Sequence, residues 1–413
     1  MYDRRKFLLQ SSAFTATLPL FGAEGGRKTE GETPHFQYKL APKYPYIESQ
    51  RDHLAFAYSP GKILLSEDNG QTWPHSKDFP EATKITFSVI LRNGNILFAT
   101  LHQLYLSTDK LQTYREITVQ GLDGEDYIPH TPTNPGTPGW YFHALDGVHT
   151  WQVNGKEMLV WGNYCNVIGG PVPVNIYYST DYGETVKIAY AFGQNRRYKD
   201  GPQLLGNPDN PTICRHIHCV AYNPAEDAFY CNTGDKDHAD GRHECHWLRG
   251  TYCKTSDTWD WKVRVSVDNN SRYKSGGINF VDGQLYWAAD ANGRPDRHGK
   301  WDRGIFTCAP EDLANPAKHT QLFDPKYESA NMIIQDGFIL SCHYAPASPY
   351  STGFIVSPDL GKTWAQYNLL QFGRTSPVRL QKKNADGWFK VDLRRGWIAQ
   401  DRILFLKPIP TIS

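Results

Sequence analysis

One pattern of eight residues governs what this chain can become. Ser66-Glu67-Asp68-Asn69-Gly70-Gln71-Thr72-Trp73 has the form S-x-D-x-G-x-T-W, and Ser357-Pro358-Asp359-Leu360-Gly361-Lys362-Thr363-Trp364 repeats it. A third copy, Ser179-Thr180-Asp181-Tyr182-Gly183-Glu184-Thr185, continues into Val186 in place of Trp. Worn copies stand at Ser107-Thr108-Asp109 with Thr113-Tyr114 and at Thr255-Ser256-Asp257 with Trp259, and a very worn one at 309–313. The copies follow apolar runs such as Asn175-Ile176-Tyr177-Tyr178 and Gly353-Phe354-Ile355-Val356. The pattern reads as a strand, then a tight turn in which Asp accepts from turn amides, Gly takes a conformation closed to other residues, and the aromatic packs back on the sheet. Repetition of this kind specifies a fold assembled from like sheets.

Composition agrees. The 413 residues include 35 Gly and 27 Pro, too frequent for long helices, and 13% aromatics, too rich for a disordered chain. With 44 Lys+Arg against 43 Asp+Glu there is no basic surplus, which argues against a general nucleic-acid binder. Innermost strands are expected to begin near His53, Lys84, Val148, His216, Gly277, Asn331 and Val378, each followed by a turn such as Arg92-Asn93-Gly94-Asn95 or Asp282-Gly283-Gln284. Seven starts predict an all-β, seven-bladed β-propeller, one domain over 35–410. The last blade, ending Arg402-Ile403-Leu404-Phe405-Leu406, is expected to be closed by a strand from 35–45, which removes open sheet edges.

The first 25 residues read as an address. Asp3-Arg4-Arg5-Lys6-Phe7-Leu8-Leu9 precedes a short apolar stretch at 14–21 and small residues at Gly22-Ala23, which resembles a twin-arginine export signal cleaved around 23–26. The apolar part is about ten residues, against roughly 20 needed to span a bilayer. The expectation is an exported protein, periplasmic or secreted, monomeric and without a membrane span.

In a propeller, chemistry belongs at one mouth of the central channel, on the loops entering each innermost strand and joining the second and third strands. The long loops cluster in blades 3 to 5. Segment 121–147 holds His130, Trp140, Tyr141 and His143; 193–214 holds Arg196-Arg197-Tyr198-Lys199; 233–244 and 289–302 are dense in Asp, His and Arg. Arg215-His216-Ile217-His218 opens an innermost strand, and alternation sets His216 and His218 on one face, Arg215 and Ile217 on the other. Arg197-Tyr198-Lys199 is echoed one blade later by Arg272-Tyr273-Lys274. Arg and Lys at a channel mouth suit an anionic ligand such as a uronate or sulfate, and aromatic neighbours suit sugar faces.

Eight cysteines are present, and five of them, Cys214, Cys219, Cys231, Cys245 and Cys253, fall within 40 residues. Cys219 and Cys231 flank a hairpin turn at 224–227, and Cys245 begins the next strand. Three thiols in one row, with His243 two residues from Cys245, would make a structural Cys3His zinc site; a disulfide is the rival reading in an exported protein. Calcium at the acidic loops stays open.

The repeated turns resemble the Asp-box (BNR) repeats of the sialidase-like β-propeller superfamily, over most of the chain after residue 50. Sialidases of that superfamily carry a Phe-Arg-Ile-Pro-type segment, an arginine triad and a Tyr–Glu nucleophile pair; the segment is missing here and the early blades are poor in Arg. A second group in it, the propeller polysaccharide lyases acting on uronates (ulvan and rhamnose–glucuronate lyases), is similar in the Arg-His-Ile-His strand start, the Asn223-Pro224 hairpin with Thr233-Gly234-Asp235, and the Cys/His cluster, mainly over blades 3 and 4. That resemblance implies β-elimination on an anionic polysaccharide: a cation neutralises the uronate carboxylate, a base takes the α-proton and an acid protonates the leaving oxygen. It makes Arg215 the neutraliser, Tyr198 and His149 the proton-transfer groups, and His143, Asn163, Arg197, Lys199, His218 and Tyr273 substrate contacts. The ulvan lyases place a second His where this chain reads Trp161-Gly162-Asn163-Tyr164, so a different uronate is implied. The alternatives are a sialidase-like glycoside hydrolase and a glycan-binding propeller without catalysis.

Overall fold

Hydrogen bonding in the computed structural model gathers the strands into seven sheets, each built on four antiparallel strands. The structure describes residues 17–19, 29–100, 103–120, 148–164, 174–193, 206–234, 243–268, 272–290, 302–325, 328–344, 353–369, 375–395 and 399–410. From the channel outward, blade 1 is Tyr46–Arg51, Leu54–Ser59, Lys62–Ser66 and His75–Asp78; blade 2 is Phe87–Ile90, Ile96–Ala99, Leu104–Ser107 and Arg115–Ile117. Blade 3 is Thr150–Val153, Lys156–Gly162, Asn175–Ser179 and Val186–Ala191; blade 4 is His216–Asn223, Ala228–Gly234, Cys245–Cys253 and Thr258–Val267. Blade 5 is Ser275–Val281, Gln284–Ala289, Gly304–Cys308 and Thr320–Phe323; blade 6 is Glu328–Gln335, Phe338–Tyr344, Gly353–Ser357 and Ala365–Asn368. Blade 7 is Thr375–Gln381, Phe389–Arg395, Ala399–Pro408 and, from the other end of the chain, Phe36–Leu40. The molecule is a seven-bladed β-propeller, closed as the sequence predicts: Phe36 faces Pro408 and Leu40 faces Leu404.

The core lies between blades. Each sheet is covered on both faces, so its inner strands read as continuous apolar runs whose alternate residues serve opposite interfaces. Leu159 and Trp161 pack with Phe87 and Leu97 towards blade 2, while Val160 packs with Ile217 and Phe229 towards blade 4.

The repeated turn is built as its residue types require. Asp68 Oδ1 accepts from the amides of Gln71 (3.0 Å) and Thr72 (2.8 Å), its Oδ2 accepts from the Thr72 hydroxyl (2.6 Å), and Gly70 N donates to Ser66 Oγ (2.8 Å). The Asp–Thr and Ser contacts recur at Asp109, Asp181 and Asp359, always between the third and fourth strands. In blade 2 the turn forms without glycine: Lys110 and Leu111 adopt φ of 56° and 66°, with Leu111 buried in the core. These hydrogen bonds hold the Asp68 carboxyl down at about 2. The two most worn copies are not this turn. Asp257 ends a plain hairpin and accepts from Tyr252 and Tyr178 hydroxyls at 2.7 and 3.0 Å, and 309–313 holds a 3-10 turn, Pro310–Asp312.

Six of the seven expected strand starts fall within three residues of the observed ones. The first does not. His53 lies in the turn between the first two strands of blade 1, and the innermost strand begins at Tyr46. That turn runs through Asp52 at φ 50° with no glycine to announce it. Thr17–Pro19, inside the 1–25 segment, pairs parallel with Ala365–Asn368; the remainder of that segment lies outside the described residues. No described helix is long and apolar enough to cross a membrane.

Candidate functional site

The innermost strands of blades 1, 4, 5, 6 and 7 each carry one extra residue near their start, at Glu48, His218, Gly276, Ala330 and Val378. A bulge of this kind bends the strand and re-aims side chains. In blade 4 it interrupts the alternation expected for His216 and His218: His216 faces Gly234 and Ile217 faces Thr233, but the next pair is Cys219 with Asn232. His216 therefore turns to blade 3 and His218 to blade 5, yet their ring centroids stay 5.1 Å apart.

Tyr164 joins them. Its ring stacks on His216 at 3.9 Å and 15° and lies 5.9 Å from His218. Gly162 makes this approach possible, since a Cβ there would stand 2.4 Å from Ile217 Cδ1; Ile217 N then donates to the Asn163 carbonyl at 3.1 Å. On the other side His218 Nδ1 lies 3.1 Å from the Ser275 carbonyl oxygen and 3.6 Å from Asp290 Oδ2. A carbonyl only accepts, so Nδ1 carries a proton and donates it to Ser275 O. Lys274 Nζ is 3.4 Å from the same Asp290 oxygen. Asn232 holds the blade 5 side in place, donating to Tyr273 O (2.8 Å) and accepting from Ser275 N (2.9 Å). His216 and His218 are 0% exposed and Lys274 1%, so this is a buried row of aromatic, imidazole, carboxylate and ammonium groups across blades 3 to 5. Arg215, half-buried, immediately precedes it.

Of the residues singled out in the sequence, His218 and Arg215 belong here and Asn163 adjoins. Asn163 is buried, its side-chain oxygen accepting from Asn175 N at 2.8 Å. Tyr273 does not reach the mouth: it is buried, donates to Leu313 O at 2.9 Å, and burial pushes its hydroxyl up to about 12. Its neighbour Arg272 is held by Asp302 at 2.7 Å. His149 is separate from the row. It lines a channel cavity of about 260 Å³ with Ser49, Ser88, Gln335 and Gln381, and immediately precedes Thr150, which pairs with Leu159, four positions before Asn163. His143, Arg197, Tyr198 and Lys199 lie outside the described residues. Lys274 belongs to the Arg-Tyr-Lys echo, whereas Tyr164 and Asp290 carry no sequence signal beyond their places beside Asn163 and at the start of an acidic loop.

Register separates the residues named for zinc. Beyond the bulge, Cys231 stands opposite Val220 and Cys219 stands opposite Asn232, so the two thiols are out of register by one residue. An offset of one residue sends Cys231 to the face shared with blade 3, while Cys219 and Cys245 face blade 5. His243 pairs instead with Asp268, Nδ1 to Oδ1 at 3.0 Å. Among the described residues no group of three His, Cys, Asp or Glu is placed to hold a metal.

A second buried polar group sits where the ring closes. Arg379 of blade 7 reaches Glu48 of blade 1 (2.6 Å) and Asp392 (2.8 Å), and Asp392 also takes Lys390 (2.6 Å) and the Tyr46 hydroxyl (2.5 Å). All four charged side chains are at most 4% exposed. Burial raises the Glu48 carboxyl, with Arg379 opposing; Arg379 and Lys390 hold Asp392 down against its own burial.

No protein-family model matches the chain, and no curated protein matches it in sequence. Solved structures do. YCF48 from Cyanidioschyzon merolae is 14% identical over 90% of this chain and 98% of its own, with a TM-score of 0.46. A prolyl endopeptidase is 8% identical over 91% of this chain and 48% of its own, TM-score 0.46. An α-L-arabinanase of Penicillium chrysogenum, solved with arabinobiose, is 12% identical over 79% of this chain and 94% of its own, TM-score 0.40. Likeness at this level concerns the fold alone.

Proposed function

We propose that the protein is a polysaccharide lyase cleaving a uronate-containing chain by β-elimination. One observation carries the reading: Tyr164, His216 and His218 lie within 6 Å of one another at the start of the strand that Arg215 opens. Proton transfer and carboxylate neutralisation are the two tasks of the reaction, and those residue types suit them. Arg215 neutralises the carboxylate and Tyr198, on the segment leading to that strand, exchanges a proton with the sugar. The Tyr164–His216–His218 row takes the second proton-transfer role in place of His149. His143, Asn163, Arg197 and Lys199 contact the chain. Arg4-Arg5 and the apolar stretch after them accord with export to where such polymers are met. The test is incubation with ulvan, arabinogalactan, glycosaminoglycans and a sialoside. Ultraviolet absorbance of an unsaturated uronate supports the lyase, whereas released sialic acid would replace it with a hydrolase.

Complete burial of His216 and His218 favours a second reading, glycan binding without catalysis. It predicts affinity for one of those polymers, no product, and an unchanged affinity in Tyr198→Phe.

A further inference from the structure

The outer edge of blade 4 differs from the rest. The outermost strands of blades 1, 2 and 5 are four, three and four residues long. Those of blades 3, 6 and 7 are covered by Val119–Gln120, Thr17–Pro19 and Glu30–Glu32. In blade 4 the last strand, Thr258–Val267, runs ten residues, and no described strand pairs with its outer side. It is mostly exposed, Val263 to 41%. Long unpaired edges rich in β-branched and aromatic residues recruit another strand unless something forbids it.

The charges on this strand select the partner. Asp260 and Lys262 lie on one face, 2.8 Å apart, with side chains 61% and 72% exposed. Trp261 lies on the other face, flat over Gly250, where a Cβ would stand 2.4 Å from its ring. An antiparallel two-fold pairing with Trp261 opposite itself sets Asp260 against the second copy's Lys262, and Trp259 against the second copy's Val263. Both are favourable cross-strand pairs, and symmetry supplies each twice. Sliding the copies until Asp260 or Lys262 meets itself sets like charges opposite one another. We propose that two copies of this chain associate through Thr258–Val267 in that register, joining two four-stranded blades into one eight-stranded sheet and replacing the monomer expected from sequence.

Light scattering and sedimentation of the full chain at tens of micromolar test this. The expected result is a dimer that weakens with added salt. Lys262→Asp and Asp260→Lys each face like charges across the axis and raise the dissociation constant by about tenfold or more, while the double reversal D260K/K262D restores it. The positions are exposed, so each variant should melt close to the parent. A monomer at every concentration overturns the proposal. So does a dimer that the single reversals leave unchanged, or a double reversal as weak as the singles.

Discussion

Arg379 donates to Glu48 at 2.6 Å across the junction of the last blade and the first. Two acids and two bases share this dry interior, so net charge is balanced but each group depends on the others. Arg379→Ala leaves Glu48 and Asp392 buried without their main counter-charge. Loss of one partner of a buried pair costs about 3–5 kcal/mol, and chemical denaturation should show a drop of that size.

The same group predicts an unusual pH response. Glu48 has a raised folded pKa, so its contribution is complete below the unfolded value and is lost as pH rises through the folded one. Glu48→Gln removes that loss. The melting temperature of the variant relative to the parent should therefore rise as pH climbs above about 4.5. A difference that stays flat from pH 4 to 8 would contradict it.

The repeated turns respond in the opposite sense. Asp68, Asp109 and Asp359 have depressed carboxyl pKa values, with burial opposing the hydrogen bonds at the last two. Their contribution is present above about 3.9 and is lost as pH falls through the folded values. Asp359→Asn should lower the melting temperature by a few degrees at pH 7, and the gap should close towards pH 2.

On the lyase reading, Arg215→Ala, His218→Gln and Tyr164→Phe should each lower turnover by about 10²–10⁴-fold. Tyr273→Phe separates packing from chemistry: it loses the hydrogen bond to Leu313 O, costs about 1 kcal/mol, and keeps the activity. Full activity in Arg215→Ala would remove the neutralising role.

Because Cys231 faces away from Cys219 and Cys245, these thiols do not converge on one ion, and a chelator should leave the melting temperature unchanged. Stoichiometric zinc in the purified protein, with a chelator-dependent melt, would refute this.

The fold was legible because each turn is written locally: Ser, Asp, Gly and Thr at fixed spacing do the same work at 66, 179 and 357 wherever the chain goes next. What failed was equally local. Asp52-His53 turns without a glycine, so nothing in the sequence marks the end of the strand before it. The site was only half legible. Arg215-His216-Ile217-His218 names two of its members, but no spacing reveals that a bulge sends His218 to Asp290 while Gly162 lets Tyr164 reach His216. Burial hides the rest, since Lys390-Val391-Asp392 looks like any exposed alternation until the ring closes over it.

That closure fixes when the molecule can exist. Phe36 and Pro408 face each other although they stand 372 positions apart in sequence, so Phe36–Leu40 waits unpaired on that side until Ala399–Pro408 has been made. Blades 1 to 6 can pair their strands as they emerge from the ribosome, but the seventh joins strands from both sides of the other six. Without Ala399–Pro408, Phe36–Leu40 and Phe389–Arg395 would each present an unpaired edge of the kind that recruits other chains.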